Sequence, residues 1–128
     1  MRTLLDTHLL LWVSYLPERL PDGVRRIILD PEQELHFSVA SLWEIAIKRS
    51  QNRNDFDFDP SVLREGLLEA GYIELPVLGE HALAVLALPL IHKDPFDRML
   101  VAQAIVAGVD LLTVDKQLAG YPGPIRLF

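Results

Sequence analysis

Apolar residues fall in short blocks separated by proline, glycine and acidic residues, and the blocks alternate between two kinds. Thr3-Leu4-Leu5, Glu34–Ser38, Tyr72–Leu75, Val109–Val114 and Ile125–Leu127 are brief runs bounded by turn residues, the pattern of strands. The first and fourth lack polar alternation, as expected for strands covered on both faces. Segments with helical spacing lie between them: Thr7 to Leu16, Pro21 to Leu29, Ser38 or Ser41 to Ser50, Ser61 to Ala70, Glu80 to Leu88 and Asp94 to Gly108. Lys116 to Ala119 predicts one more short helix. Strands alternating with helices imply a parallel sheet with right-handed crossovers and helices on both faces, an α/β fold.

The chain has 128 residues, half of them apolar, with no low-complexity block, which suits a single domain over residues 1–128. There is no cysteine, and the four histidines (His8, His36, His81, His92) show no metal-ligand spacing, so disulfides, thiolate sites and zinc are not expected. The longest apolar run, Ala82 to Ile91, is interrupted by Pro89 and too short to span a bilayer, and no leader pattern opens the chain. A cytoplasmic protein without membrane contact is the simplest expectation. The formal charge of −6 argues against a general nucleic-acid coat, because phosphate binding is driven by lysine and arginine. It leaves open a nucleic-acid enzyme whose acids surround metal ions.

Four acids stand out by position. Asp6 ends the first strand and Asp115 ends the fourth, so parallel strands would put both on the edge where open α/β sheets bind ligands. Asp94-Pro95 reads as N-cap and first residue of a helix, which accounts for Asp94. Asp97 then falls at the third helical position and heads the stripe Leu100, Val101, Ala104, Ile105, Gly108, aimed at the edge of the core. Glu44 has two readings. With Ser41 as cap, Ser41-x-x-Glu44 is a capping box; with Ser38 as cap, Glu44 lies in the second turn among apolar neighbours and needs a partner. Lys48, Arg49 and Arg53 read as a solvated, dipole-complementing helix end, and no lysine or arginine takes an obvious central position.

Two carboxylates about 4 Å apart repel by roughly 4 kcal/mol at an effective dielectric near 20, so four converging ones require protonation or a cation. Hard oxygen ligands suit Mg²⁺ or Mn²⁺, and two such ions would change the formal −6 to −2. The chemistry implied is metal-dependent phosphodiester hydrolysis.

Leu4-Leu5-Asp6-Thr7-His8, Ser41-Leu42-Trp43-Glu44-Ile45, His92-Lys93-Asp94-Pro95-Phe96-Asp97-Arg98 and Leu112-Thr113-Val114-Asp115, in this order, resemble the PIN-domain nucleases, specifically the VapC-type toxins of bacterial toxin–antitoxin pairs. By position, Asp6, Glu44, Asp97 and Asp115 match that family's metal-binding and catalytic quartet, and Thr113 matches a hydroxyl that accompanies the last acid. The resemblance implies a three-layer α/β/α sandwich around a mostly parallel five-stranded sheet. It also implies Mg²⁺- or Mn²⁺-dependent endoribonuclease activity on RNA, self-association, and inhibition by a small antitoxin protein that occupies the site. The apolar helix Leu9 to Val13 with Trp12, together with Phe56 and Phe58 in a polar loop, predicts the surface of a homodimer. A DNA-directed nuclease of the same fold and a non-catalytic protein-binding module are the alternatives.

Overall fold

The first apolar run pairs on both of its edges. In a computed structural model describing all 128 residues, β1 (Arg2–Leu5) lies between β2 (Glu34–Ser38) and β4 (Asp110–Thr113). β3 (Ile73–Leu75) extends the sheet beyond β2 and β5 (Ile125–Leu127) beyond β4, in the order β3-β2-β1-β4-β5 with every pairing parallel. Successive residues of a strand face opposite ways, so an unbroken apolar run needs a core on each side. That is what is found. Leu5 and Leu112 pack on one face with Leu9, Leu10 and Ile45, whereas their sequence neighbours Leu4 and Leu111 pack on the other with Leu100, Val101 and Leu118.

The first face is covered by α1 (Thr7–Tyr15), α2 (Asp22–Leu29), α3 (Val39–Ser50) and α4 (Pro60–Glu69), and the second chiefly by α6 (Pro95–Ala107), against which α5 (Gly79–Ala84) packs. The layers are α/β/α. Side-chain caps start most of these helices: Asp6 accepts from Leu9 N, Ser38 from Ala40 N, Asp59 from Ser61 N and Asp94 from Phe96 N. Pro60 and Pro95 follow their caps at a position that needs no donor. α6 ends on Gly108, whose φ of +68° is the left-handed cap that lets the chain turn directly into β4.

Several expectations change on packing. The apolar α1 is interior to this chain: Leu9, Leu10 and Leu11 are buried, and Trp12 and Val13 rest partly buried against the same cluster. Phe56 is a core residue and Phe58 packs beside it, its ring stacked on Tyr15 at 4.5 Å. Neither supports the expected dimer surface. Ile105, placed on the buried stripe of α6 by spacing, is exposed, and the buried residues are the consecutive Leu100 to Ala104, since α6 packs against the sheet and α5 together. After β4 the chain makes a 3-10 turn at Leu118–Gly120 instead of the expected helix. The most exposed apolar side chains are Leu86 (87% exposed) and Leu90 (92% exposed), after α5, with Leu29, Leu83 and Trp43 also in water.

Gln103 ties the layers together from the middle of α6. It is fully buried, accepts from Ser38 Oγ (2.5 Å) and donates to the Pro76 carbonyl (3.1 Å), bridging the ends of β2 and β3. Gln103→Leu leaves that carbonyl and the Ser38 hydroxyl without this partner, at a cost of about 1–3 kcal/mol. Thermal melts are expected to show a loss on the order of 5 °C; an unchanged melting temperature would show that the bridge is incidental.

Candidate functional site

Strand order reverses at β1, which has β2 on one side and β4 on the other, and ligands of open α/β sheets bind in the crevice such a reversal opens. Asp6 follows β1 directly, and Asp115 follows β4 by two residues. Thr113, the last residue of β4, couples them. Its hydroxyl donates to Asp6 Oδ2 (2.6 Å) and accepts from the Asp115 backbone N–H (3.0 Å). The other oxygen of Asp6 caps α1 by accepting from Leu9 N (2.9 Å). Asp115 Oδ1 accepts from Gln117 N (2.9 Å), which leaves Oδ2 facing the crevice.

Glu44 enters from α3, and its local role is settled by the cap. Ser38 starts the helix and Ser41 lies inside it, so Glu44 sits in the second turn and makes no capping box. It is a buried carboxylate, only 2% exposed. Thr7 Oγ1 donates to Oε1 (2.6 Å) and also lies 2.9 Å from Ser41 Oγ, while Lys48 Nζ, one turn along the helix, stands 2.5 Å from Oε2. Lys48 corrects the expectation of a solvated helix end. Its side chain is largely covered, and it reaches Asp94 Oδ2 as well (3.7 Å). The spacing i, i+4 between Glu44 and Lys48 was the available signal.

Asp97 comes from the first turn of α6, behind the Asp94 cap. Its Oδ2 lies 3.2 Å from His92 Nε2, and the same nitrogen lies 3.2 Å from Asp115 Oδ2. His92 was the second residue missed, because it matched no ligand spacing. Its Nδ1 accepts from the Asp94 backbone N–H (3.2 Å), so Nε2 carries a proton and faces the two acids as a donor. The two buried histidines serve the backbone: His81 Nδ1 accepts from Leu78 N, and His36 Nδ1 lies near the Thr3 and Glu34 carbonyls.

Electrostatics show how close the acids stand. Burial, and then the charges of Asp94, Glu44, Asp6 and Asp115, push the Asp97 carboxyl up to about 8. Burial also raises Asp6, and the hydrogen bonds from Thr113 and Leu9 N–H oppose this without cancelling it. The crevice therefore gathers more negative charge than Lys48 and the His92 N–H offset. Of the four acids, Asp97 and Asp115 bring a ligand atom within 4.8 Å of each other and of His92, whereas Asp6 and Glu44 stand outside that group; two carboxylates with open oxygens fit a hard divalent cation of the Mg²⁺ or Mn²⁺ type. His92, whose Nε2 faces both acids, is the third member of that cluster.

Three comparisons bear on this chain. The family model described as "PIN domain" matches residues 3–124. No curated protein matches the sequence. Among solved structures, the crystal structure of VapBC2 from Rickettsia felis bound to a DNA fragment from their promoter aligns with a TM-score of 0.71 at 12% identity, covering 100% of this chain and 99% of that one. That of DNA-bound VapBC from Salmonella typhimurium aligns with a TM-score of 0.66 at 18% identity, covering 98% and 97%. At these identities the likeness is one of fold.

The raised Asp97 carboxyl has a consequence for stability in chelator. The folded state holds its proton up to about pH 8, whereas an unfolded aspartate releases it near pH 4. Between those values the folded state binds more protons, so stability is fullest at the acid end and falls as pH rises through the window. Thermal melts of Asp97→Asn, which carries no charge to lose, are expected to lack this decline and to lie about 5 °C or more above wild type at pH 8. Parallel curves for the two proteins would place the charge crowding elsewhere.

Proposed function

This chain belongs to the PIN-domain family, and from that premise we propose that it is a divalent-metal-dependent endoribonuclease, the toxin of a toxin–antitoxin pair. The observation that carries the reading is the cluster of Asp97, Asp115 and His92 at the edge where β4 ends, with Asp6 and Glu44 close enough for their charges to act on Asp97, whose carboxyl burial and these neighbours push up to about 8. In this reading Asp97 and Asp115 hold the ion through their open oxygens, and Asp6 and Glu44 complete the anionic wall behind it. When bound, a divalent ion lowers the pKa of a water molecule and stabilises charge on a phosphodiester in transit.

The remaining tasks fall to the chain's own groups. Thr113 fixes Asp6 and the Asp115 backbone in one register, so the two strand ends act as a single rigid edge. Thr7 orients Glu44 from α1. Asp94 caps α6, and so sets where Asp97 emerges. His92 presents an N–H beside the two open carboxylates, where it can donate to an oxygen of the scissile phosphate group. Tyr121 anchors that histidine's backbone, its hydroxyl accepting from His92 N (2.8 Å).

The partner half of the proposal is an antitoxin and a second copy of the chain. The neighbouring VapBC structures support the first. For the second, the exposure of Leu83, Leu86 and Leu90, close together in the chain, is the support, since exposed apolar patches mark interaction surfaces. They replace the Leu9–Val13 helix as the basis for a homodimer. Leu86→Glu combined with Leu90→Glu is expected to turn a wild-type dimer into a monomer by light scattering at tens of micromolar, with an unchanged circular dichroism spectrum. A wild-type monomer under the same conditions would remove the dimer.

Glu44→Gln tests the site. The amide keeps the size and loses the charge, so cleavage is expected to fall about a hundredfold or more while the fold persists. Cleavage is read by sequencing the 5′ ends of RNA fragments made with Mg²⁺ or Mn²⁺, beside a matched DNA and a chelated control. DNA cut as fast as RNA would favour the DNA-directed alternative, and chelator-resistant cutting or full activity in Glu44→Gln would remove the acidic metal site.

A further inference from the structure

An apolar groove of about 480 Å³ runs between α3 and α6 beside the acidic crevice. Sites that take small ligands span roughly 300–1,000 Å³, so it has room for one. Val39 and Trp43 line it from α3, Phe96 and Met99 from α6, and Val77 and Val85 from the segments flanking α5. Trp43 is 62% exposed, and Phe96 meets its indole edge-to-face, with 5.2 Å between ring centroids and 80° between planes. A large aromatic side chain is thus held by a neighbour and still left in water.

The groove is continuous with the acids. Trp43 directly precedes Glu44 on α3, and Phe96 directly precedes Asp97 on α6. The Phe96 ring lies 5.9 Å from Lys48 Nζ, the ammonium that pairs with Glu44 and Asp94, so a single ring separates the groove from the charged cluster. Two cations also line the groove. Arg98 donates to the Val85 and Pro89 carbonyls and the Tyr121 hydroxyl, all neutral groups, and Lys93 is exposed with no ion pair. By contrast, Arg49, Arg53 and Arg64 each stand against an acid. In a chain of formal charge −6, two unmatched cations beside an open indole call for an anionic ligand with a flat face. A nucleotide has both, since every base offers a π-face and every phosphate a charge. An apolar peptide side chain would use the walls and leave both cations unmatched.

We propose that this groove takes one unpaired nucleobase of the substrate strand, next to the nucleotide being cleaved, with the base stacked on Trp43 and the adjoining phosphate met by Lys93 and Arg98. The proposal rests on the nuclease reading above and narrows it. The strand must be single at this position, because a paired base enters such a site only after unstacking and unpairing.

The test reads binding apart from cutting. In Trp12→Phe combined with Asp115→Asn, kept in chelator, Trp43 is the sole tryptophan, the strand stays whole and one repelling acid is neutral. A short single-stranded RNA is expected to quench the Trp43 emission to saturation, and a duplex of the same sequence to need about tenfold more. With Mn²⁺ and Asp115 in place, Trp43→Ala is expected to raise KM for single-stranded RNA about tenfold and to change kcat less than about threefold, since stacking is lost equally from the ground and transition states. Trp43→Tyr, which keeps a π-face, should recover most of this, and Lys93→Gln should lower the salt dependence of RNA binding. An unchanged KM in a folded Trp43→Ala protein, or equal quenching by single strand and duplex, would overturn the proposal and leave the nuclease reading intact. Quenching by an acidic, leucine-rich peptide at lower concentration than by RNA would overturn it in favour of a protein partner. A change of Trp43 emission on dilution alone would overturn it in favour of a second copy of the chain. Saturable quenching by single-stranded RNA with no cutting by wild type in Mn²⁺ would uphold the base site and overturn the nuclease reading; absence of both would overturn both.

Discussion

Charge crowding at one edge of the sheet is the constraint around which this molecule is arranged. A parallel sheet aims all its strand ends the same way, and the reversal of strand order at β1 leaves a crevice between the ends of β1 and β4. Asp6 and Asp115 come from those two ends, Asp97 from the first turn of the helix leading into β4, and Glu44 from the helix leaving β2. Carboxylates so gathered repel one another, and burial adds to the cost of ionising them. Both effects appear in the upward displacement of Asp97 and Asp6. The fold maintains the arrangement because each acid stands on an element whose packing is set elsewhere, in the two apolar layers flanking the sheet.

The surroundings of the acids divide the work of compensation. Hydroxyls come first: Thr113 holds Asp6, and Thr7 holds Glu44, at short distances and with no mobile side chain. Charge comes second, through Lys48 on Glu44. The imidazole of His92 comes third, its tautomer set by the Asp94 N–H. The compensation is uneven. It is complete at Glu44, which is almost wholly enclosed, and least at Asp97 and Asp115, which face the open crevice. An added cation would do most good at the latter two, and in the proposed function that is where the ion is held.

Most of the fold could be read from the chain because its signals are local. Strand ends at Asp6 and Asp115, the Asp94-Pro95 helix start and the left-handed Gly108 each depend on a few neighbouring residues. The Glu44 ambiguity had the same local character, and choosing Ser38 as cap over Ser41 required knowing where β2 ends. What could not be read depends on elements distant in sequence. Lys48 becomes central only because Phe56 and the start of α6 close over it. His92 becomes part of the site only because Asp115 arrives from β4. The apolar pattern of α1 does not say how many layers cover it; the sheet and three more helices do. Leu86 and Leu90, conversely, lie in the apolar run Ala82 to Ile91, and the chain leaves them exposed past α5.

Anomalous diffraction from crystals soaked in Mn²⁺ addresses the central claim most directly, because it locates the cation without reference to activity. A peak between the open oxygens of Asp97 and Asp115, on the side facing Asp6, is the result expected from the uncompensated charge at that edge. Crystals of equal quality with no peak in the crevice, or with manganese bound only at surface acids such as Asp55 and Asp57, would contradict it.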